Sequence, residues 1–284
     1  MISVKNLYHS YTHDDVYAVN NVSFEIAKGE VFGFLGPSGA GKSTTQGVLT
    51  GLLPLQKGEV TVAGYDMRRR NRQMFNKIGV SFEQSNVYNK LTALENLEFY
   101  KKLFDVKTED PMKLLEIAGL SDVAKHKAGT FSKGMKHRLT FVRSMLNNPE
   151  LWFLDEPTTG LDPAIGRQII DIVKQKKSEG TTVFLTTHNM NVADELCDRI
   201  AFIIDGEIKL IDSPRNLKLQ FGEKLVVVDH IVNGITKREQ FSLIDPADMA
   251  RLNTLISTGQ IEMMHTKEAT LEEIFIKVTG RGLE

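Results

Sequence analysis

The chain has 284 residues, enough for one large α/β domain with an appendage or for two ordinary domains. Hydrophobic residues make up 41% and charged residues 25%, values that exclude a disordered or fibrous chain. Lys and Arg number 35 against 36 Asp and Glu, so the net charge of −1 gives no whole-molecule field to recruit a polyanion, and no nucleic-acid partner is expected.

The amino terminus, MISVKNLYHSY, lacks the apolar core of a signal peptide, and the single Cys197 has no partner for an intrachain disulfide. A cytosolic chain is expected. The longest apolar runs, VFGFLG, LWFL and IAFII, fall far short of the roughly 20 residues a helix needs to cross a bilayer. Any role at a membrane therefore requires a partner that spans it. Short β-branched and aromatic runs then alternate with helical patterns. EVFGFLG precedes KSTTQGVLTGLL, KIGVSFEQ precedes TALENLEFYKKLF, LWFLDE precedes AIGRQIIDIVKQKKSEG, and TTVFLTTH precedes MNVADELCDRI. That rhythm predicts an α/β core around a mainly parallel sheet.

The run Arg68-Arg69-Arg70 reads as a solvated face or loop. From about residue 86 to 148 the pattern is helical with no convincing strand, which predicts a helical subdomain inserted in the core. After Arg199, IAFIIDGEIKLID predicts a hairpin turning at Asp205-Gly206. Pro214 punctuates the chain. Beyond it, KLVVVDHIV and REQFSLI flank Asn233-Gly234, and PADMARLNTLISTG and TLEEIFIKVTGRG read as helical, so a small α+β appendage is expected.

The run Gly36-Pro37-Ser38-Gly39-Ala40-Gly41-Lys42-Ser43-Thr44 fits G-x-x-x-x-G-K-[ST] between an expected strand and an expected helix. Glycines let such a backbone curl so that successive N–H groups face phosphate oxygens, and the helix start favours negative charge. In this pattern Lys42 bridges the β- and γ-phosphates and the Ser43 hydroxyl ligates Mg²⁺. Downstream, Leu151-Trp152-Phe153-Leu154 is an apolar strand ending in Asp155 and Glu156, at the edge of an α/β sheet where ligands bind. Asp155 is expected to hold the Mg²⁺ shell. Glu156 is expected to orient or deprotonate the attacking water.

Together with the stretches that follow, these motifs resemble the ATP-binding cassette (ABC) ATPase family from residue 1 to about 212. The resemblance implies a P-loop nucleotide-binding domain over 1–214, with an antiparallel β subdomain and the helical subdomain, and an accessory domain over 215–284. It implies ATP and Mg²⁺ as ligands. Tyr11, in LYHSYTHDDVYAVNNVSF, matches the family's aromatic ring that stacks on adenine, with Tyr8 and Tyr17 as rivals. Gln84, at the end of IGVSFEQ, matches the glutamine that reaches Mg²⁺ or the attacking water and opens the segment facing the membrane partner. His188, closing TTVFLTTH, matches the switch histidine at the γ-phosphate. Asp162 matches the loop that crosses the dimer interface, and Asp before Pro163 reads equally as a turn and helix start.

The family's signature, usually Leu-Ser-Gly-Gly-Gln, here reads Phe131-Ser132-Lys133-Gly134-Met135. In the family this serine and nearby N–H groups contact the γ-phosphate bound by the opposite subunit. Ser132 is a good N-cap, and Met135, Leu139, Val142 and Leu146 form one apolar stripe of a helix. Lys133 in place of glycine excludes glycine-only backbone geometry but keeps its N–H. A cation at a helix start costs about 0.3–1 kcal/mol, and a triphosphate beside it reverses that sign. Met135 lacks the amide that glutamine offers. Signatures of this Ser-Lys-Gly-Met kind resemble those of ATPase subunits of bacterial drug, antibiotic and ion exporters.

The resemblance implies an exporter's ATPase subunit, peripheral on the inner face of the cell membrane. Its partners are a second cassette, identical or different, and a separate integral-membrane permease. The competing classes are a cassette ATPase of nucleic-acid repair or translation and a nucleotide-binding module without turnover. Such repair and translation proteins carry paired cassettes, a coiled-coil insertion or a basic face, none of which this sequence shows. Glu156 and His188 argue for turnover.

Overall fold

The computed structural model describes residues 1–12, 16–69, 71–232 and 234–282. Arg70, expected in the basic run, and Asn233, expected in the second turn, lie outside the described residues. The chain divides into two compact units, Met1–Ser213 together with Gly282, and Pro214–Arg281; the break lies one residue before the boundary expected at 214.

In chain order the first unit begins with strands β1 (Ile2–His9), β2 (Val19–Ile26) and β3 (Val31–Leu35), then helix α1 (Lys42–Leu49). Next come β4 (Lys57–Val62), β5 (Tyr65–Asp66), α2 (Arg72–Phe75) and β6 (Ile78–Ser81). The helical segment follows as α3 (Ala93–Lys101), α4 (Pro111–Ile117) and α5 (Lys133–Arg143). The unit closes with β7 (Leu151–Asp155), α6 (Pro163–Ser178), β8 (Thr182–Thr187), α7 (Met190–Leu196), β9 (Arg199–Ile204) and β10 (Glu207–Asp212).

Among the described residues of this unit the strands form two sheets, β10-β9-β3-β8-β7-β6 and β2-β1-β4-β5. The first is parallel except for β10, which returns antiparallel on β9. The second is antiparallel. The two kinds of sheet follow from residue pattern. β3, β7 and β8 are buried at every position, as strands covered on both faces must be, whereas β2 buries alternate residues and wets the others. The shared core is built on phenylalanine. Phe24 of the antiparallel sheet stacks on Phe32 at 5.4 Å, and Phe184 meets Phe34 at 5.6 Å and Phe153 at 5.7 Å. Truncating one such ring to alanine costs about 3–5 kcal/mol, so this cluster fixes how one sheet lies on the other.

Local signals set the helix starts around the site. Asp162 accepts from the N–H groups of Ala164 and Ile165 at 3.1 Å, with Pro163 in the first turn, so its reading as a helix start holds. Ser132 accepts from Met135 N–H at 3.2 Å and caps α5. Of the expected stripe on α5, Leu139, Val142 and Leu146 are buried and Met135 is half-buried. Arg143, buried on the same helix, donates to Asn86 and lies 4.1 Å over the Tyr100 ring, tying α5 to the segment beyond Gln84.

The second unit carries α8 (Pro214–Phe221), β11 (Leu225–Val232), β12 (Ile235–Ser242), α9 (Pro246–Thr258), β13 (Ile261–Lys267) and α10 (Leu271–Thr279). Its sheet runs β12-β11-β13, antiparallel throughout. Val226, Val228, Phe241 and Leu252 form its core, with Leu255 and Ile261 packed on it. Pro214, read from sequence as punctuation, occupies the first position of α8, where its missing N–H is no loss. β13 has no counterpart in the sequence reading.

Candidate functional site

The loop from Gly36 to Thr44 joins β3 to α1 at the carboxyl end of the parallel strands. Two glycines are required by geometry. A Cβ on Gly36 would lie 2.2 Å from the Ile203 carbonyl, and Gly41 sits at φ 103° with a Cβ position 2.5 Å from the Ala18 carbonyl. Gly41 starts α1 without a side-chain cap, which leaves the helix's first N–H groups to the loop side. Pro37, Ser38, Gly39 and Ala40 form the bend, closed by Ala40 N–H to the Pro37 carbonyl at 3.2 Å. Lys42 folds its ammonium back onto the Gly36 and Pro37 carbonyls at 2.6 and 3.0 Å. Burial holds the Lys42 ammonium below the usual lysine range, against the pull of Glu156, Asp155 and Glu83. Ser43 is exposed and Thr44 is buried.

Tyr11 stands 62% exposed, its hydroxyl 3.0 Å from Thr44 Oγ1 and its ring edge-on to His9. The rivals are engaged elsewhere. Tyr8 and Tyr17 meet edge to face at 5.4 Å, and Lys57 caps the Tyr8 ring.

Asp155 ends β7 and is 8% exposed, accepting from Thr186 Oγ1. Burial pushes its pKa up, and the nearby charges of Glu156 and Glu83 push the same way, while Thr186 and Lys42 oppose. Glu156 follows with φ 47°, a left-handed backbone that side-chain-bearing residues rarely adopt. Its carboxylate is saturated. Oε1 accepts from His188 N–H at 2.9 Å and lies 2.7 Å from His188 Nδ1, while Oε2 accepts from the hydroxyls of Thr159 at 2.9 Å and Thr187 at 3.0 Å. The backbone is fixed too, with Glu156 N–H donating to the Thr186 carbonyl at 2.9 Å. The strained residue is thus over-determined by its neighbours.

Gln84 lies beyond the end of β6, which stops at Ser81, so it does not end the strand as the sequence suggested. The strand stops early because β6 is a sheet edge paired only with β7, and the register runs out at Ser81 opposite Leu154. Gln84 instead lines a cavity of about 480 Å³ with Glu83, Lys133, Gly134, His137, Thr159, Gly160 and Leu161. The signature therefore borders the turn after Glu156 within one chain. Ser132 and Lys133 are exposed, and Gly134 faces Leu161.

The fold thus draws Lys42, Asp155, Glu156 and His188 into one cluster and sets Gln84, the signature and the Thr159–Asp162 turn around a neighbouring cavity. Sequence reasoning missed Thr159, Thr186, Thr187, Glu83 and His137. The threonines had a signal, since polar residues close the otherwise apolar TTVFLTTH next to His188. Among the described residues, no three His, Cys, Asp or Glu side chains gather as a metal cage, and no helix is long and apolar enough to cross a membrane.

A phosphate loop facing a buried Asp-Glu pair across a parallel sheet defines a nucleotide triphosphatase core. The family model described as ABC transporter matches residues 19–159. A fluoroquinolones export ATP-binding protein of Mycobacterium tuberculosis is 45% identical over all of this chain and 94% of its own length. The linearmycin resistance ATP-binding protein of Bacillus subtilis is 34% identical over all of this chain and 99% of its own length. A solved dimeric structure of a post-hydrolysis state of an ATP-binding cassette bound to ADP and Pi superposes with a TM-score of 0.69 at 30% identity, covering 75% of this chain and 98% of that one. The chain belongs to the ABC transporter family. Within it, the chain is the cassette that binds and hydrolyses ATP.

Proposed function

We propose that this chain powers an exporter of drugs, antibiotics or other small molecules, as its ATP-hydrolysing subunit. One observation carries the reading: the Glu156 carboxylate is buried beside the phosphate loop and held by four contacts, one each from Thr159 and Thr187 and two from His188. A carboxylate so fixed is already aimed, and releasing one of its four contacts gives it a lone pair to accept a proton from, or orient, a water attacking the γ-phosphate. The relatives named for fluoroquinolone export and linearmycin resistance support the cargo class.

The backbone N–H groups from Ser38 to Thr44 cradle the phosphates, and Lys42 releases its loop carbonyls to reach the β- and γ-phosphates. Tyr11, the exposed ring beside Thr44, carries the adenine. Ser43, Asp155 and Gln84 suit Mg²⁺, because they offer hard oxygen donors and because burial leaves the Asp155 carboxylate in want of a cation. When bound, Mg²⁺ neutralises charge on the phosphate oxygens. His188 holds Glu156 and faces the γ-phosphate.

Two cassettes, identical or different, enclose two nucleotides head to tail, each lending Ser132, Lys133, Gly134 and Met135 to the other's γ-phosphate, with Asp162 on the crossing loop. The permease docks beyond Gln84. There Tyr88 and Phe99 are 46% and 42% exposed and meet edge to face at 5.0 Å, an aromatic surface suited to a partner. The cassette spans 1–214, with its helical subdomain over about 86–148, and 215–284 is an accessory domain. The protein works in the cytoplasm on the inner face of the membrane.

Glu156→Gln tests the reading. The expected outcome is an ATP-stabilised dimer, seen by size-exclusion chromatography, whose turnover is about 10²–10⁴-fold lower. Turnover at the parent rate would remove Glu156 from the chemistry.

A further inference from the structure

His137 lies on α5 little more than one turn beyond the Ser132 cap. It is 5% exposed, and neither ring nitrogen has a hydrogen-bond partner. Buried polar side chains are nearly always paired, so an unpaired imidazole calls for a reason. Burial holds its pKa below the usual histidine range, with the nearby Lys133 charge acting in the same direction, so the ring is neutral near pH 7 and carries one N–H.

The surroundings supply that reason. The Glu156 backbone lies close enough to raise the ring's proton affinity, but outside hydrogen-bond geometry. The Glu156 carbonyl already accepts Thr159 N–H at 3.2 Å, and a carbonyl has a second lone pair. The same ring lines the cavity bordered by Gln84, Lys133, Gly134, Gly160 and Leu161, which leaves room for α5 and the turn to move together. α5 is a rigid element whose first residues form the part of the site offered to a second subunit.

We propose that His137 is a positioning residue: when α5 engages the nucleotide of the second subunit, the ring N–H closes onto the Glu156 carbonyl and braces the left-handed turn that aims the carboxylate. The half-site a subunit lends is thereby tied to the half-site it keeps. Engagement at Ser132 in one nucleotide site sets Glu156 in the other. No bond is made or broken in this step, and the ring keeps its proton. The inference rests on the proposed roles of Glu156 and Ser132.

The test compares His137→Leu, His137→Gln and His137→Asn in the full-length chain, reading kcat, KM for ATP and ATP-dependent dimerisation in a Glu156→Gln background. Leucine fills the space without a donor, glutamine restores a donor at similar reach, and asparagine carries the donor on a shorter arm. The expected result is a kcat about tenfold lower for leucine, the size of one lost positioning hydrogen bond, with KM within about twofold. Glutamine recovers to within about threefold of the parent while asparagine does not, and all three dimerise with ATP in the Glu156→Gln background. Parent-rate turnover of the leucine variant, equal losses for glutamine and asparagine, or a loss confined to KM would overturn the inference. The glutamine and asparagine pair decides the matter if the leucine variant does not fold. If Glu156→Gln turns over at the parent rate, the reading of Glu156 fails and takes this inference with it. If Glu156→Gln is idle while His137→Leu runs at the parent rate, this inference alone fails.

Discussion

At the carboxyl end of β7, Asp155 and Glu156 sit side by side inside the protein, and the nearest ammonium, Lys42, is turned onto loop carbonyls. On the sheet of the second unit, Asp229 and Glu239 lie under cations instead. Arg238 forks onto Asp229 with two bonds of 2.7 Å, and Lys237 and Arg251 hold Glu239 at 2.8 and 2.9 Å. The shifts run in opposite directions. Burial raises the pKa of Asp155, whereas hydrogen bonds from Arg238 lower that of Asp229 and those from Lys237 lower that of Glu239. Asp229 is itself only 9% exposed, and the guanidinium that pairs with it is open to water. The first unit thus holds buried carboxylates without a cation beside them, a burden that the proposed chemistry explains, whereas the second unit offsets burial by pairing.

Asp155→Asn strikes hardest at this contrast. A carboxyl whose pKa is higher folded than unfolded takes up protons on folding, so its contribution to stability falls as pH rises through the unfolded value of about 3.9. At pH 7 the buried charge is therefore destabilising. The substituted amide keeps an acceptor for Thr186 and removes that charge. Turnover should fall at least about 100-fold, while the nucleotide-free melting midpoint rises by a few degrees, about 1 kcal/mol. A lower midpoint would put the buried carboxylate among the stabilising groups and dissolve the comparison.

Thr187→Val is smaller. It removes one of the two hydroxyls on Glu156 Oε2 and leaves a β-branched residue in β8. A hydrogen bond to a charged group is worth about 1.5–3 kcal/mol, so kcat should drop about tenfold or somewhat more, with KM nearly constant. Steady-state kinetics that match the parent would mean Thr159 and His188 suffice.

Arg238→Gln should do least. At neutral pH the melting curve should stay close to the parent's, because Arg238 is 66% exposed and water takes the place of its guanidinium over Asp229. Its signature is in acid. The stability Asp229 draws from Arg238 is fully present above about pH 3.9 and lost as pH falls through its lower folded value, so removing Arg238 flattens that acid limb. Circular dichroism during acid titration reads the slope. A limb as steep as the parent's would assign the acid sensitivity to other groups.

Contiguity decides how much of this was legible in the sequence. The phosphate loop, the Asp155-Glu156 pair and the Ser132 cap each lie within a few adjacent residues, and their local rules can be read from a string. The rhythm of apolar strands and amphipathic helices announced the parallel sheet for the same reason. β13 escaped because IEMMHTK neither alternates nor concentrates β-branched residues, and its Met263 and Met264 stay exposed even in the folded strand. The four-donor grip on Glu156 escaped because Thr187 and His188 lie about thirty residues away and arrive only when β8 pairs with β7. His137 gave no sign at all, since only folding brings it beside the Glu156 backbone.

The left-handed backbone at Glu156 has a consequence for anyone who sets out to make this protein hardier. Asparagine at that position would ease the strained conformation and remove the buried charge while keeping an amide acceptor, so a library sorted on heat resistance alone should return it among its winners. That winner would be sturdy and idle. A screen on this scaffold must score turnover in the same round as survival, because at this one residue the two criteria select opposite side chains.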